Sequence, residues 1–122
     1  QAPPETQPMT LEALAKAQQR VREVHLAPEL RDYIVRLVMA TRAEDAAEHI
    51  DHAVSPRGSL SLASAAKARA YLQGRDYAVP EDVAMLAPDA LAHRMVLSWR
   101  AVADGKTTRQ LVADILQRID PL

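Results

Sequence analysis

One stretch of the sequence places an arginine where a helix usually carries an acidic residue. In HAVSPRGSLSL, residues 52–62, Ser55 is a candidate N-cap and Pro56 fits the first helical position. Arg57 would then lie in the first turn, where the helix dipole and unpaired N–H groups favour an anion. A guanidinium and such N–H groups together can bind a phosphate, and the missing side chain of Gly58 would let a ligand approach the backbone. The ordinary alternative is that Arg57 extends into water or pairs with an acidic neighbour.

A second cluster, EHIDH at residues 48–52, contains two histidines with two carboxylates beside them. Such side chains bind metals, but zinc needs several converging ligands, and charged loops of this composition are common. We therefore interpret His49 and His52 as structural or solvated residues and predict no metal site. Glu81 and Asp82 fit the acidic first turn of a helix better than a catalytic carboxylate pair. No residue of the chain is predicted to be catalytic.

Other catalytic motifs are missing from the sequence. It has no Gly-rich phosphate loop ending in Lys-Ser/Thr, no nucleophile elbow, and no cysteine for thiolate chemistry. The net charge is −1, with one tryptophan, three tyrosines and no phenylalanine, so neither attraction to nucleic acid nor a base-stacking surface is expected. No apolar run approaches the ~20 residues that span a bilayer. The lack of cysteine is typical of a cytoplasmic protein, which is our prediction.

Hydrophobic periodicity and capping residues predict an all-α fold of about five to six helices. Alanine, which favours helix, accounts for 23 of the 122 residues. The helices are expected to begin after Thr10, at Pro28, Pro56 and Pro80, and after Thr107. Gly74 is expected to end the third helix, and Pro88 to interrupt the fourth and start a short turn of its own.

Only RMVLSW, residues 94–99, reads as a strand, and the turn ADGK follows it. The sequence therefore predicts one short β-hairpin near residues 94–104. Residues 42–54 are charged and receive no predicted element. Residues 1–9 are polar and Pro-rich, and we interpret them as a linker or an artificial boundary, with one helical domain over residues 10–122.

The second predicted helix has the clearest apolar face. Its five members share one side at helical spacing: Leu30, Tyr33, Ile34, Leu37 and Val38. We expect this helix to be the best buried.

Five short motifs follow one another between residues 55 and 97. They are a Ser-Pro-Arg-x-Ser-Leu helix start before an Ala-rich helix, then Gly-Arg-Asp-Tyr, Pro-Glu-Asp-Val, Leu-Ala-Pro and His-Arg. In this order and spacing they resemble the C-terminal helical lid subdomain of the MoxR family of AAA+ ATPases. Weaker similarity extends over residues 11–41 and the last helix.

This resemblance implies a lid that closes over ATP bound in a core domain absent from this sequence. The arginine of Ser-Pro-Arg is the sensor-2 residue of such lids and contacts the γ-phosphate, and that position is Arg57. Ser55 and Pro56 would set the helix start, and Gly58 would lie near the nucleotide. The phosphate loop and the Mg²⁺ belong to the core domain. The chain alone is therefore not expected to be an enzyme, whereas its parent protein is expected to be an ATPase.

The resemblance also implies partners. They are the ATPase core domain of the same polypeptide, neighbouring subunits of a ring oligomer, and von Willebrand A-domain proteins. With such partners the family acts like a chaperone in maturing metal- or cofactor-dependent enzymes. Neither a membrane nor a nucleic acid is expected among the partners. Because only Arg57 is expected to contact phosphate, changing Lys67 or Arg69 to Glu should affect nucleotide sensing little.

Three positions depart from the family pattern. Ala53-Val54 stand where Gly-Ala is usual, Gly58 replaces a common Ala, and Val79 replaces a capping Thr. Arg75 and Arg94 recur in the resemblance, and we interpret both as structural ion-pair partners.

A different function is also compatible with the sequence, namely a helical DNA-binding or regulatory module. RMVLSWRAVADGK would form its wing, with Arg94, Arg100, Lys106 and Arg109 near phosphates. Against this alternative, the basic residues are spread along the chain and offset by acidic ones. A standalone interaction domain without a ligand is a third hypothesis.

Overall fold

A computed structural model describes residues 10–42 and 49–121. Within this part the chain forms six helices and two short strands. In chain order they are α1 (Leu11–Glu23), α2 (Pro28–Ala40), β1 (Ile50–His52), α3 (Gly58–Leu72), α4 (Pro80–Ala92), β2 (Val96–Leu97), α5 (Trp99–Ala103) and α6 (Thr108–Arg118). The predicted helical fold with one small antiparallel sheet is confirmed. None of the described helices combines the length and the apolar character that crossing a membrane requires.

Local capping contacts account for most of the helix boundaries. Thr10 Oγ1 accepts a backbone N–H at 3.0 Å, and Thr107 and Gln110 cap α6 reciprocally. After α3 ends at Leu72, Gly74 adopts a φ of 79°, the left-handed conformation that closes a helix C-terminus. These boundaries agree with the predictions.

Helix α3 packs against α1, α2 and α4 and is the centre of the domain. Alanines on α3 and α4 allow close approach, and the buried apolar residues of these two helices include Leu62, Ala66, Ala70, Val83, Ala87 and Leu91. The predicted apolar face of α2 is confirmed, since all five of its residues are buried. Helix α1 contains no buried residue, and its Leu11 is 87% exposed. The core therefore lies between α2, α3, α4 and α6, with α1 on the outside.

Pro88 does not interrupt α4, contrary to the prediction. The helix is continuous from Pro80 to Ala92 with Pro88 inside it. Proline lacks the N–H that would bond to the Ala84 carbonyl. The next turn nevertheless buries Leu91 and Ala92. The stabilisation from this burial outweighs the cost of the lost hydrogen bond, so the helix stays continuous.

The two strands pair over a long distance in the chain and do not form the local hairpin predicted near residues 94–104. β2 pairs antiparallel with β1, and Ser98 N–H donates to the His49 carbonyl at 2.9 Å. The residues after β2 form α5, with Ser98 as its N-cap. β1 lies in the segment 42–54, which had no predicted element, and residues 43–48 of that segment lie outside the described residues. The wing needed by the DNA-binding alternative is thus not formed by residues 94–104.

Candidate functional site

The candidate residues Ser55 to Gly58 form a turn that leads into α3. The predicted helix start at Pro56 is wrong by two residues, because α3 begins at Gly58. Backbone bonds close the turn: Gly58 N–H donates to the Ser55 carbonyl at 2.8 Å, and Ser59 N–H to the Pro56 carbonyl at 3.2 Å. Arg57 occupies the N-cap position and no side chain caps the helix. Ser55 therefore does not serve as the predicted N-cap.

These bonds decide which groups at the turn can hold an anion. The N–H groups of Gly58, Ser59 and Leu60 all donate to carbonyls of the turn, so they are not the free donors that the sequence suggested. The Arg57 guanidinium is the available donor. Its side chain is exposed and forms no hydrogen bond or ion pair with any described residue, Asp51 included. The other acidic neighbours of the segment lie outside the described residues.

Gly58 does not leave open space for a ligand, contrary to the expectation. A Cβ at this buried position would overlap Val54 Cγ1 and would lie 3.8 Å from Arg94 Cδ. Val54 is itself fully buried and fills the volume that an alanine at position 58 would need. The departures from the family pattern at positions 54 and 58 therefore compensate each other. The larger side chain of Val54 occupies the volume that a side chain at position 58 would need. Gly58 serves the packing of the turn.

Two residues at the end of α2 hold this turn in place, and sequence reasoning missed both. Thr41 is 2% exposed, donates its hydroxyl to the Val38 carbonyl at 2.7 Å and accepts the Val54 N–H at 3.2 Å. Arg42 Nε donates to the Val54 carbonyl, also at 3.2 Å. A buried hydroxyl bonded on both sides leaves its neighbours little freedom. The chain entering the Arg57 turn is therefore fixed to α2; the only sequence signal was a Thr-Arg pair directly after an amphipathic helix.

Asp82 is a buried structural carboxylate at the start of α4. It accepts hydrogen bonds from Arg69 at 2.6 Å, from Arg75 at 2.6 and 2.7 Å, and from the Val79 N–H at 2.7 Å. Burial by itself would raise its pKa, but these hydrogen bonds, above all those from Arg75, outweigh burial and lower the pKa to about 2. Arg75 is thus the ion-pair partner that was predicted. Glu81 is exposed and forms a longer ion pair with the same Arg69, at 3.8 Å.

The histidines of the EHIDH cluster lie in and next to β1. Across residues 10–42 and 49–121, no three His, Asp or Glu side chains converge as metal ligands, and Glu48 is outside these ranges. His49 Nε2 lies 3.4 Å from Lys106 Nζ, and an ammonium group at that distance disfavours a bound cation. His52 is exposed on the strand.

Basic residues near β2 and α6 have different environments. Arg109 pairs with Asp89, and Lys106 lies against His49. Arg94 forms no ion pair with any described residue, so its predicted role as a structural ion-pair partner is not supported. The four cations that the DNA-binding alternative invoked are therefore not equally available to a ligand.

Known proteins resemble this chain in sequence and in fold. The AAA lid domain family matches residues 35–115. Chaperone MoxR1 of Mycobacterium tuberculosis is 38% identical over 96 residues, which cover 74% of this chain and 26% of that protein. Protein MoxR of Paracoccus denitrificans is 44% identical over 85 residues, covering 61% and 25%. The crystal structure of an ATPase candidate from Cytophaga hutchinsonii has a TM-score of 0.84 at 33% identity, covering 89% of this chain and 35% of that one. The chain spans about a quarter to a third of each of these three proteins.

Proposed function

Since the chain belongs to the AAA lid domain family, we propose that it closes over ATP held in a core domain of the same polypeptide and senses the γ-phosphate through Arg57. The relatives named MoxR confirm the resemblance to lids of that family. The observation that carries the proposal is the exposed Arg57 guanidinium, which has no partner among the described residues, on a turn that Thr41 and Arg42 fix to α2. A cation at a defined position that none of the described side chains neutralises is suited to an external anion.

The contact between Arg57 and the γ-phosphate would couple the position of the lid to ATP hydrolysis. A guanidinium that binds the third phosphate has a partner in the ATP state and loses it in the ADP state. Because a ligand shifts a conformational equilibrium only through its different affinity for the two conformations, that contact favours the closed lid with ATP. Ser55 and Pro56 act through the backbone bonds of the turn.

The remaining parts of the proposal concern the whole protein. We place ATP and Mg²⁺ in the core domain, and we assign ATP hydrolysis to the whole polypeptide and not to this chain alone. Residues 10–122 form the lid domain. Neighbouring subunits of a ring and von Willebrand A-domain proteins are the proposed partners, and maturation of metal- or cofactor-dependent enzymes in the cytoplasm is the proposed role. The family match and the MoxR relatives support this proposal.

The test is Arg57→Ala in the full-length protein, with ATP turnover and ADP affinity measured together. We expect turnover to fall roughly tenfold or more, the effect of losing one charged hydrogen bond, with ADP affinity unchanged. Lys67→Glu is the control, because the one hydrogen bond of Lys67 to a described residue is to the Arg22 carbonyl, at 3.4 Å. Arg69→Glu, which the sequence suggested as harmless, is unsuitable because Arg69 binds the buried Asp82. Normal turnover in Arg57→Ala would contradict the sensing role.

A further inference from the structure

Four arginines in the described part of the chain have no hydrogen-bond or ion-pair partner there, namely Arg20, Arg31, Arg57 and Arg94. Two of these, Arg57 and Arg94, belong to different parts of the chain, and both lie at the turn that leads into α3. Arg57 precedes α3, and Arg94 follows α4. The other lysines and arginines described each bind an acidic group, a carbonyl, a histidine or another polar group.

The Arg94 side chain crosses the start of α3. Its Cδ lies 3.8 Å from the position of a Cβ on Gly58, and Gly58 is bonded to Arg57. Consecutive Cα atoms are about 3.8 Å apart, so the aliphatic part of Arg94 ends beside the Arg57 turn. The guanidinium begins one bond beyond that carbon. Two guanidinium groups can therefore reach one ligand at this turn.

The charges at this turn are not balanced by described residues. No acidic side chain in residues 10–42 and 49–121 pairs with either arginine, and two nearby cations repel each other unless an anion lies between them. The C-terminus of α4 favours a cation close to it, but that dipole does not require the side chain to pack over Gly58. Because the first N–H groups of α3 are already bonded, the side chains of Arg57 and Arg94 are the donors that this turn offers to an anion.

We propose that Arg94 is a second phosphate-binding residue of the lid and binds the same terminal phosphate as Arg57. The inference rests on the proposed function, because its ligand is the nucleotide that Arg57 senses. Guanidinium groups suit phosphate oxygens, and two of them can approach one phosphate from two sides. Because Arg57 precedes α3 and Arg94 follows α4, a phosphate bound by both arginines would hold the two helices in a fixed position relative to the nucleotide. The lid would then distinguish ATP from ADP through two residues.

The experiment measures binding of a non-hydrolysable ATP analogue and of ADP to the full-length protein carrying Arg94→Gln. Glutamine keeps most of the aliphatic contact with Gly58 and removes the charge. We expect analogue affinity to fall roughly tenfold with ADP affinity unchanged, and Arg94→Lys to retain part of it. Arg20→Gln is the matched control. Arg20 is also exposed and has no partner in the described part of the chain, but it lies near Gly74, at the other end of α3.

The outcomes separate this inference from the proposed function. If Arg57→Gln loses the preference for the ATP analogue and Arg94→Gln binds like the wild type, the inference is wrong and the sensing role of Arg57 stands. If neither variant changes binding, both proposals fail. An equal loss of analogue and ADP affinity in Arg94→Gln would show that Arg94 does not read the terminal phosphate. Should Arg94→Gln not fold, as judged by its melting temperature, Arg94→Met, which also keeps an unbranched aliphatic chain and lacks the charge, gives the same comparison.

Discussion

At the scale of single residues, Val54 and Gly58 are explained only as a pair. Val54 is fully buried, and its Cγ1 lies where a side chain at position 58 would begin. Gly58→Ala alone is expected to lower the free energy of unfolding by about 1–3 kcal/mol through overpacking. Val54→Ala alone should cost a similar amount by removing buried methyl groups.

The double variant Val54→Ala/Gly58→Ala should recover part of both losses, because alanine at 58 fills the space left at 54. We expect a coupling energy of about 1–3 kcal/mol, measured by urea unfolding of the four proteins in the cycle. The same cycle with Val83→Ala in place of Val54→Ala should be additive, since Val83 follows Asp82, which bonds to Arg69 about 16 Å along α3 from Gly58. Additive losses at 54 and 58 would contradict the packing argument.

At the scale of elements, Asp82 joins α3 to the loop before α4 through Arg69 and Arg75. Its pKa is about 2 in the folded protein against an ordinary 3.8. A lowered folded pKa contributes stability that is fully present above pH ~4 and is lost as the pH falls through ~2, with a size of about 2 kcal/mol. Asp82→Asn should be less stable than the wild type at neutral pH. Its free energy of unfolding should also lose most of its pH dependence between pH ~2 and ~4.

The measurement for Asp82 is the unfolding free energy of wild type and variant from pH 2 to 7. Asp89→Asn is the control, because the Asp89–Arg109 pair is exposed and such pairs contribute little. If Asp82→Asn kept the pH dependence of the wild type, another carboxylate would be responsible for it.

At the scale of the whole molecule, the domain has a firm centre and a loosely attached first helix. α3 and α4 share buried residues along their length, whereas α1 contains none. Local opening costs least where few apolar groups are buried. Among the helices of ten or more residues, amide hydrogen exchange should therefore be fastest in α1 and slowest in the facing parts of α3 and α4. Protection in α1 equal to that in α4 would show that the burial pattern does not control local stability.

The helices of this protein were largely determined by its sequence. Thr10, Pro28, Pro80 and the Thr107–Gln110 pair act on backbone groups within one turn, so their effect can be seen in a short window. The five buried residues of α2 follow from its periodicity for the same reason. The order of the short motifs was also sufficient to predict the lid family.

Only the tertiary structure decided the features that depend on distant residues. The partner of β2 precedes two helices in the chain, and Pro88 is kept in α4 by the burial of Leu91 and Ala92. At the candidate site, the sequence identified Arg57 but could not show that Val54 fills the space beside Gly58 or that Arg94 lies across the same turn. Hydrophobic pattern and capping are properties of neighbouring residues, whereas packing and the pairing of charges depend on which side chains the fold brings together.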